Sequence, residues 1–321
     1  MKPACASIRR ARPLLGTFVE IAVTGACRPA MEEAVEAAFG AVAEVHRLMS
    51  CQDSNSDVAR VNREAPTRAL RVHPWTFEVL KAALDLQSRS VGIFDIAVKN
   101  PMEPCRSPPF QLRGSLPPPC PRGREGVGAV SGLRSVPEMP GNPSVELLPG
   151  RGVRFSGPDI TIDLGGIAKG FAVDRAIAVL RDHDVEQALV NAGGDLAAFG
   201  PDAAVVSLRD PRDPRRVMGD VEIGGEALAS SGRQVDPFRR SETTDTAVID
   251  PRTLRPARAA VGATVRAGQC MIADALTKVV MIVGEAAASV LAEFGASALF
   301  VSPGGDLRIS GNWQNTVRLA A

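Results

Sequence analysis

Tyrosine is absent from this chain, and Phe and Trp together supply only 4% of its residues. An aromatic ring bound by this protein would therefore stack on Phe, Trp, Arg or aliphatic side chains. An excess of charge is lacking too: 37 Lys and Arg against 36 Asp and Glu leave a net charge of +1. That balance gives no electrostatic case for a nucleic-acid or membrane-surface partner. No apolar run reads as approaching the roughly 18 residues a membrane span needs, so no membrane insertion is expected. The six cysteines (Cys5, Cys27, Cys51, Cys105, Cys120, Cys270) contain no C-x-x-C pair. Metal-cluster spacing is thus missing, and a disulfide framework is not expected in a chain of this size. The N-terminal stretch has basic residues but no apolar core of a secretory signal, which makes a reducing cytoplasm the default expectation. The three histidines adjoin no Ser or Cys in a nucleophile motif, which speaks against a Ser/His/Asp or Cys/His enzyme.

What remains is 321 residues, 45% of them hydrophobic, enough for a real core. Residues 14–24 alternate as a strand, 29–49 read as a long helix with Pro29 near its start, and 74–91 as a second helix opening on Pro74. Prolines crowd residues 101–122, which therefore read as a loop or linker. Beyond it, strands and helices alternate to about Ile309.

The stretch "TIDLGGIAKGFAVDRA" (161–176) concentrates unusual features. A strand runs into Asp163, then Gly165-Gly166, then Lys169 at the mouth of an amphipathic helix. Glycines there let backbone N–H groups approach a ligand, and a helix N-terminus favours an anion; a plain tight turn with a solvated lysine is the alternative. Further on, "VNAGGDLAAFG" (190–200) recurs as "VSPGGDLRISG" (301–311), an offset of 111 residues that also lays Asp163 on Asp274. The offset suggests two duplicated helix–strand units, about 160–200 and 271–311, framing one cleft within a single domain spanning 1–321.

Asp274 lies in the apolar run "CMIADALTKVVMIVG", which reads as a mostly buried helix. A carboxylate there needs a partner: it is either a ligand for a hard cation such as Mg²⁺ or a capping residue with a satisfied hydrogen bond. Lys278, four residues on, shares its helical face and can reach it. Asp195 and Asp306 each follow Gly-Gly and can close turns. Asn191 can present an amide to a ring edge or close its own turn. Ser230, Ser231 and Gly232 offer donors for phosphate, and Asp250 before Pro251 reads first as a turn.

Taken together, "LLGTFVEI" (14–21), "MSCQDSNSDVARVN" (49–62), "GIFDIAV" (92–98), "IDLGGIAKGFAVDRA" (162–176), "VNAGGDL" (190–196), "LASSG" (228–232), "IDPRT" (249–253) and "ADALTK" (273–278) resemble the ApbE family of FAD:protein FMN transferases. The resemblance implies an α+β fold around one nucleotide cleft. In such enzymes FMN passes from FAD to a Thr hydroxyl of an acceptor protein, releasing AMP, with Mg²⁺ assisting. It also implies that Asp163, Gly165, Gly166 and Lys169 cradle FAD, that Asn191, Gly193, Gly194 and Asp195 line the nucleotide pocket, and that Ser231, Gly232 and Asp250 contribute to it. Asp274, with Gly166 and Thr277, would hold Mg²⁺ near the pyrophosphate; Asp274 and Lys278 would carry the catalytic chemistry.

The chain departs from the family pattern where that chemistry sits. Lys278 stands where the family has a metal-assisting Thr, Ala247 where it has a His before I-D-P, Leu254 where Gly follows I-D-P-R-T. Arg233 or Gln234 replaces the Tyr after Ser-Gly, and Ala97 the Thr of the Phe-Asp turn. A positive ammonium at 278 would either replace the metal or repel it. A non-catalytic or FAD-hydrolysing flavin-binding relative therefore stands beside the active transferase as a second reading.

Overall fold

In the computed structural model, described for residues 6–98, 145–232, 246–310, 313 and 317–319, the chain begins with a hairpin rather than with one strand over 14–24. Strand β1 (Ala6–Leu14) turns through Leu15 and Gly16, both at positive φ, into β2 (Thr17–Gly25). A two-residue loop with both φ values positive matches strand twist. Only Gly16 signals it in the sequence, because a leucine seldom adopts that conformation.

Helix α1 (Arg28–Met49) follows, with proline in its first turn and an inward stripe including Ala34, Val35, Ala38, Val42, Val45 and Met49. Then come α2 (Asp57–Glu64), the short β3 (Leu70–Arg71) and α3 (Pro74–Arg89), whose first turn is capped by the His73 ring accepting from Trp75 N–H. After β4 (Ala97–Val98), the small strands β5 (Val145–Leu148), β6 (Gly152–Phe155) and β7 (Thr161–Ile162) lead to α4 (Ala168–Asp182). The proline-rich segment 101–122 lies outside the described residues.

The second half supplies most of the sheets. Strands β8 (Gln187–Ala192), β9 (Asp195–Phe199), β10 (Ala204–Asp210), β11 (Asp213–Ile223) and β12 (Ala227–Gly232) come in succession. The turn strands β13 (Ile249–Asp250) and β14 (Arg255–Pro256) precede β15 (Gly262–Ala267). Helix α5 (Cys270–Val283) passes through a 3₁₀ turn into α6 (Ala288–Glu293), and β16 (Ser297–Val301), β17 (Leu307–Ile309) and β18 (Val317–Leu319) close the order.

Eight strands form one antiparallel sheet in the order β1-β2-β8-β9-β12-β15-β16-β17. Alternation gives it two apolar faces. Ala197, Ala227, Ala229, Ala298 and Phe300 face a core shared with α1, α4 and α5. Leu196, Ala198, Leu228 and Leu299 face a smaller core with Leu208, Val221 and Ile223 of the three-stranded sheet β10-β11-β18. Helices, large sheet and small sheet thus form three layers, an α+β arrangement.

The run Cys270–Glu293 is long and apolar enough by length and composition to cross a membrane, contrary to the expectation that no such run exists. In the fold it is a kinked core helix packed on β12 and β15. Among the described cysteines, Cys51 is disulfide-bonded, whereas Cys27 and Cys270 are free. Cysteine spacing along the chain cannot show which thiols the fold brings together.

Candidate functional site: a paired Lys–Asp cleft

The site is built where α4 and α5 cross. Gly170 lies in the first turn of α4, and a Cβ there would fall 2.6 Å from the Cys270 carbonyl carbon and 2.8 Å from Met271 Cα. Only glycine allows so close a backbone approach. At that crossing each helix caps the other. Asp274 of α5 accepts the Gly170 N–H (3.1 Å), and Asp174 of α4 accepts the N–H groups of Cys270 and Met271 (2.8 Å each). Carboxylates at both N-termini satisfy orphan backbone donors and oppose the positive helix ends.

Asp274 is fully buried, and it is not the N-cap of its helix, a position Gln269 holds. Its Oδ1 is paired with the Lys278 ammonium, which also donates to the Asp274 carbonyl at 3.0 Å. Thr277, also fully buried, donates to the same carbonyl (2.6 Å) and shares a 2.7 Å hydrogen bond with Ser231 Oγ of β12. Lys169, in the first turn of α4, pairs with Asp195 Oδ2 at the start of β9. Asp195 is fully buried, and its Oδ1 finds no hydrogen-bond partner among the described residues. Two carboxylates and two ammoniums therefore meet beside two helix N-termini.

Burial governs their electrostatics. It pushes Asp195 up to about 6, aided by the nearby Asp274 and partly offset by Lys169. Asp174 is likewise pushed up to about 6, mainly by burial and against the two N–H bonds it accepts. For Lys169 burial acts downward, but Asp274 and Asp195 outweigh it, and the ammonium is held charged well above its ordinary range. Its side chain keeps 32% exposure and that of Lys278 16%, while their carboxylate partners are buried.

The glycine turn stands over this cluster. Asp163 points back into its own loop, accepting the Gly165 N–H at 2.8 Å, and so shapes the turn. Gly166 faces Lys278: a Cβ there would lie 3.5 Å from Lys278 Cε. Asn191 Oδ1 accepts from Gly194 N–H (2.9 Å) and closes the β8–β9 hairpin. Gly193, at φ +66°, presses that hairpin onto Thr17 so tightly that a Cβ would sit 2.5 Å from Thr17 Oγ1.

Strands β9 and β12 pair only at Ala197↔Ala227 and Leu196↔Leu228. Just beyond, Gly194 and Ser230 stay neighbours, a Cβ on Gly194 falling 3.8 Å from Ser230 Cβ, and a cavity of about 400 Å³ lies on the other face of the sheet. Asn191, Gly194, Ser230, Ser231, Gly232 and Thr264 supply polar groups to its wall, with Leu196, Leu228 and Leu299 among the apolar ones. This size falls within the range of small-molecule sites.

The fold thus gathers Gly166, Lys169, Asp195, Ser231, Asp274, Thr277 and Lys278, with Asn191, Gly194 and Gly232 on the adjoining cavity. Asp250 is different: Arg252 grips its carboxylate at 2.9 and 3.0 Å within their own turn, which lowers its pKa, and it does not line the cavity. The two halves are also less alike than the 111-residue offset suggests. Asp163 is a partly exposed loop residue and Asp274 a buried helical one, because the offset aligning the hairpins does not align the starts of α4 and α5. Asp306, the counterpart of Asp195, is exposed; its N–H merely bonds Ser302 Oγ. The sequence reading gave no role to Asp174 or Thr17, although both stand inside the quoted family stretches, and it missed the β10–β11 wall of the cavity, which carries no motif.

Whether Asp274, Thr277 and Gly166 can hold Mg²⁺ turns on their free donors. Mg²⁺ demands near-octahedral oxygen coordination. Here both carboxylate oxygens of Asp274, its carbonyl and the Thr277 hydroxyl are already engaged by protein donors, and a fixed ammonium sits among them. Among the described residues no group of three or more His, Cys, Asp or Glu could hold a metal. The donor set does not fit a divalent ion.

A family model described as the ApbE family matches residues 15–300. An FAD:protein FMN transferase of Rhodobacter capsulatus is 29% identical over 276 residues, 85% of this chain and 50% of that protein, so the chain spans half the length of this relative. One of Vibrio cholerae is 28% identical over 259 residues, 78% of this chain and 73% of that protein. The crystal structure of the ApbE protein from Thermotoga maritima shares the fold with a TM-score of 0.76 at 25% identity, covering 98% of this chain and all of that one. The flavin transferase ApbE from Vibrio cholerae shares it with a TM-score of 0.73 at 20% identity, covering 97% and 99%. The family match takes in the glycine turn, both lysines and both carboxylates of the cleft: the chain belongs to the ApbE family.

Proposed function

We propose that this protein is an FAD:protein FMN transferase, moving FMN from FAD to a Thr hydroxyl of an acceptor protein. The observation that carries this reading is the pair of partly exposed lysines, Lys169 and Lys278, set by the glycine turn that opens α4, with a cavity of about 400 Å³ on the other face of the sheet. Cations suit a pyrophosphate, and the cavity suits one end of a dinucleotide. The names carried by the relatives support the same reaction.

In this reading the acceptor hydroxyl oxygen forms a bond to the FMN phosphorus, and the bond from that phosphorus to the bridging oxygen breaks. The electron pair leaves with AMP, and the hydroxyl proton is released to water. Lys169 and Lys278 meet the negative charge on the phosphoryl oxygens, and the Gly165-Gly166 turn lets backbone approach them. The buried carboxylates hold the ammoniums in place. No step is routed through a divalent ion, since the donor set does not fit one.

Calorimetric titration with FAD, followed by an assay of AMP release with a Thr-containing acceptor peptide, tests the reading. FAD binding, AMP release and a peptide gaining the mass of FMN are expected. Binding without AMP release would instead favour a flavin carrier, to which Ala247 in place of the family's histidine also points. AMP release without peptide labelling would favour a hydrolase. Absence of FAD binding would overturn the reading.

A further inference from the structure

We propose that the Lys278 ammonium is a built-in cation, occupying the seat a divalent ion would need, so that this cleft binds the FAD pyrophosphate without Mg²⁺. The inference rests on the reading of the cleft as an FAD site. Its structural ground is the way the oxygens around position 278 are used. Lys278 Nζ donates to the Asp274 carbonyl at 3.0 Å and pairs with Asp274 Oδ1. These are hard oxygens of the kind a small divalent ion selects. The other donors face inward: Asp274 Oδ2 accepts from Gly170 N–H, and the Thr277 hydroxyl donates to its own helix while bonding Ser231.

The lysine stem completes the argument. Its Cε would lie 3.5 Å from a Cβ on Gly166, so the side chain runs beneath the glycine turn with its charge held in the cleft. The Lys278 side chain keeps 16% exposure, while its carboxylate partner is fully buried. An ion entering here would meet a positive charge and no uncommitted carboxylate oxygen on Asp274. The charge that a metal would bring to the pyrophosphate is carried by the chain itself, and Lys169 adds a second cation on the neighbouring helix.

The test compares wild type, Lys278→Thr and Lys278→Arg by calorimetry, each titrated with FAD in Mg²⁺ and in a chelator, and each titrated with Mg²⁺ alone. Wild type should bind FAD with the same Kd in both buffers and give no heat with Mg²⁺. Lys278→Thr should lose about tenfold or more in FAD affinity in chelator, the worth of a charge-assisted contact. It should recover in Mg²⁺ and bind Mg²⁺ by itself. Lys278→Arg, which keeps the charge, should bind FAD in chelator, and it serves if the threonine variant does not fold. FAD binding by wild type that needs Mg²⁺ would overturn the inference and leave the transferase reading standing. No FAD binding in either buffer would overturn the transferase reading. In that case Mg²⁺ binding by wild type would overturn the cation seat as well, whereas Mg²⁺ binding only by Lys278→Thr would uphold it.

Discussion

Gly170→Ala is a sharp test because local propensity and tertiary packing predict opposite signs. Inside a helix, glycine to alanine ordinarily stabilises by about 0.5–1 kcal/mol. In this fold the added Cβ would lie 2.6 Å from the Cys270 carbonyl carbon and 2.8 Å from Met271 Cα, both backbone atoms with no rotamer to yield. Ordinary carbon–carbon contact is roughly 3.5–4 Å, so α4 and α5 must separate by about 1 Å. Overpacking of this kind costs about 1–3 kcal/mol. Separation also stretches the 3.1 Å bond from Gly170 N–H to the buried Asp274 carboxylate, a charged partner whose loss costs about 1.5–3 kcal/mol if complete. A net loss of about 2–4 kcal/mol in urea unfolding follows, with weaker FAD binding because Asp274 and Lys278 move with the helix. A variant as stable as wild type, or more stable, would refute the account of the crossing.

Two further outcomes concern other parts of the molecule. Leu254 sits at φ +56° and is 55% exposed, so Leu254→Gly should relieve left-handed strain. After the entropy cost of glycine the gain should be about 0.5 kcal/mol in urea unfolding, and a clear loss would show that the Leu254 side chain matters more than its backbone. Asp174, raised to about 6 in the fold, binds its proton more tightly there than in the unfolded chain. Its favourable contribution is therefore present below the unfolded carboxylate value and lost as pH rises through about 6. The stability of wild type relative to Asp174→Asn should fall by up to about 3 kcal/mol between about pH 4 and pH 6.5, and a flat difference would contradict the burial assigned to Asp174.

The legible parts of the sequence were those set by local chemistry. Pro29 and Pro74 mark the starts of α1 and α3, and the apolar stripe of α1 follows from its 3.6-residue period. Gly165-Gly166 and Gly193-Gly194 mark turns, and at the second pair both residues stand at the positive φ that favours glycine. The hairpin at Leu15-Gly16 was illegible because Leu15 adopts a conformation leucine usually avoids. The burial of α5 was legible, since the apolar run 270–284 reads as a mostly buried helix, whereas the membrane-span length of Cys270–Glu293 was not.

By itself the sequence determined the family, the glycine turn before α4 and the i,i+4 placement of Lys278 on Asp274, because each depends on residues close together in the chain. Tertiary structure alone decided the rest of the site. It placed Gly170 against Cys270, 100 residues away, and thereby made Asp174 and Asp274 the caps of each other's helices. It also made Asp195 a buried partner of Lys169 while leaving Asp306, after an identical Gly-Gly, in solvent. Identical turns acquire different chemistry because burial and partner charges belong to the packed molecule, and no local pattern encodes them.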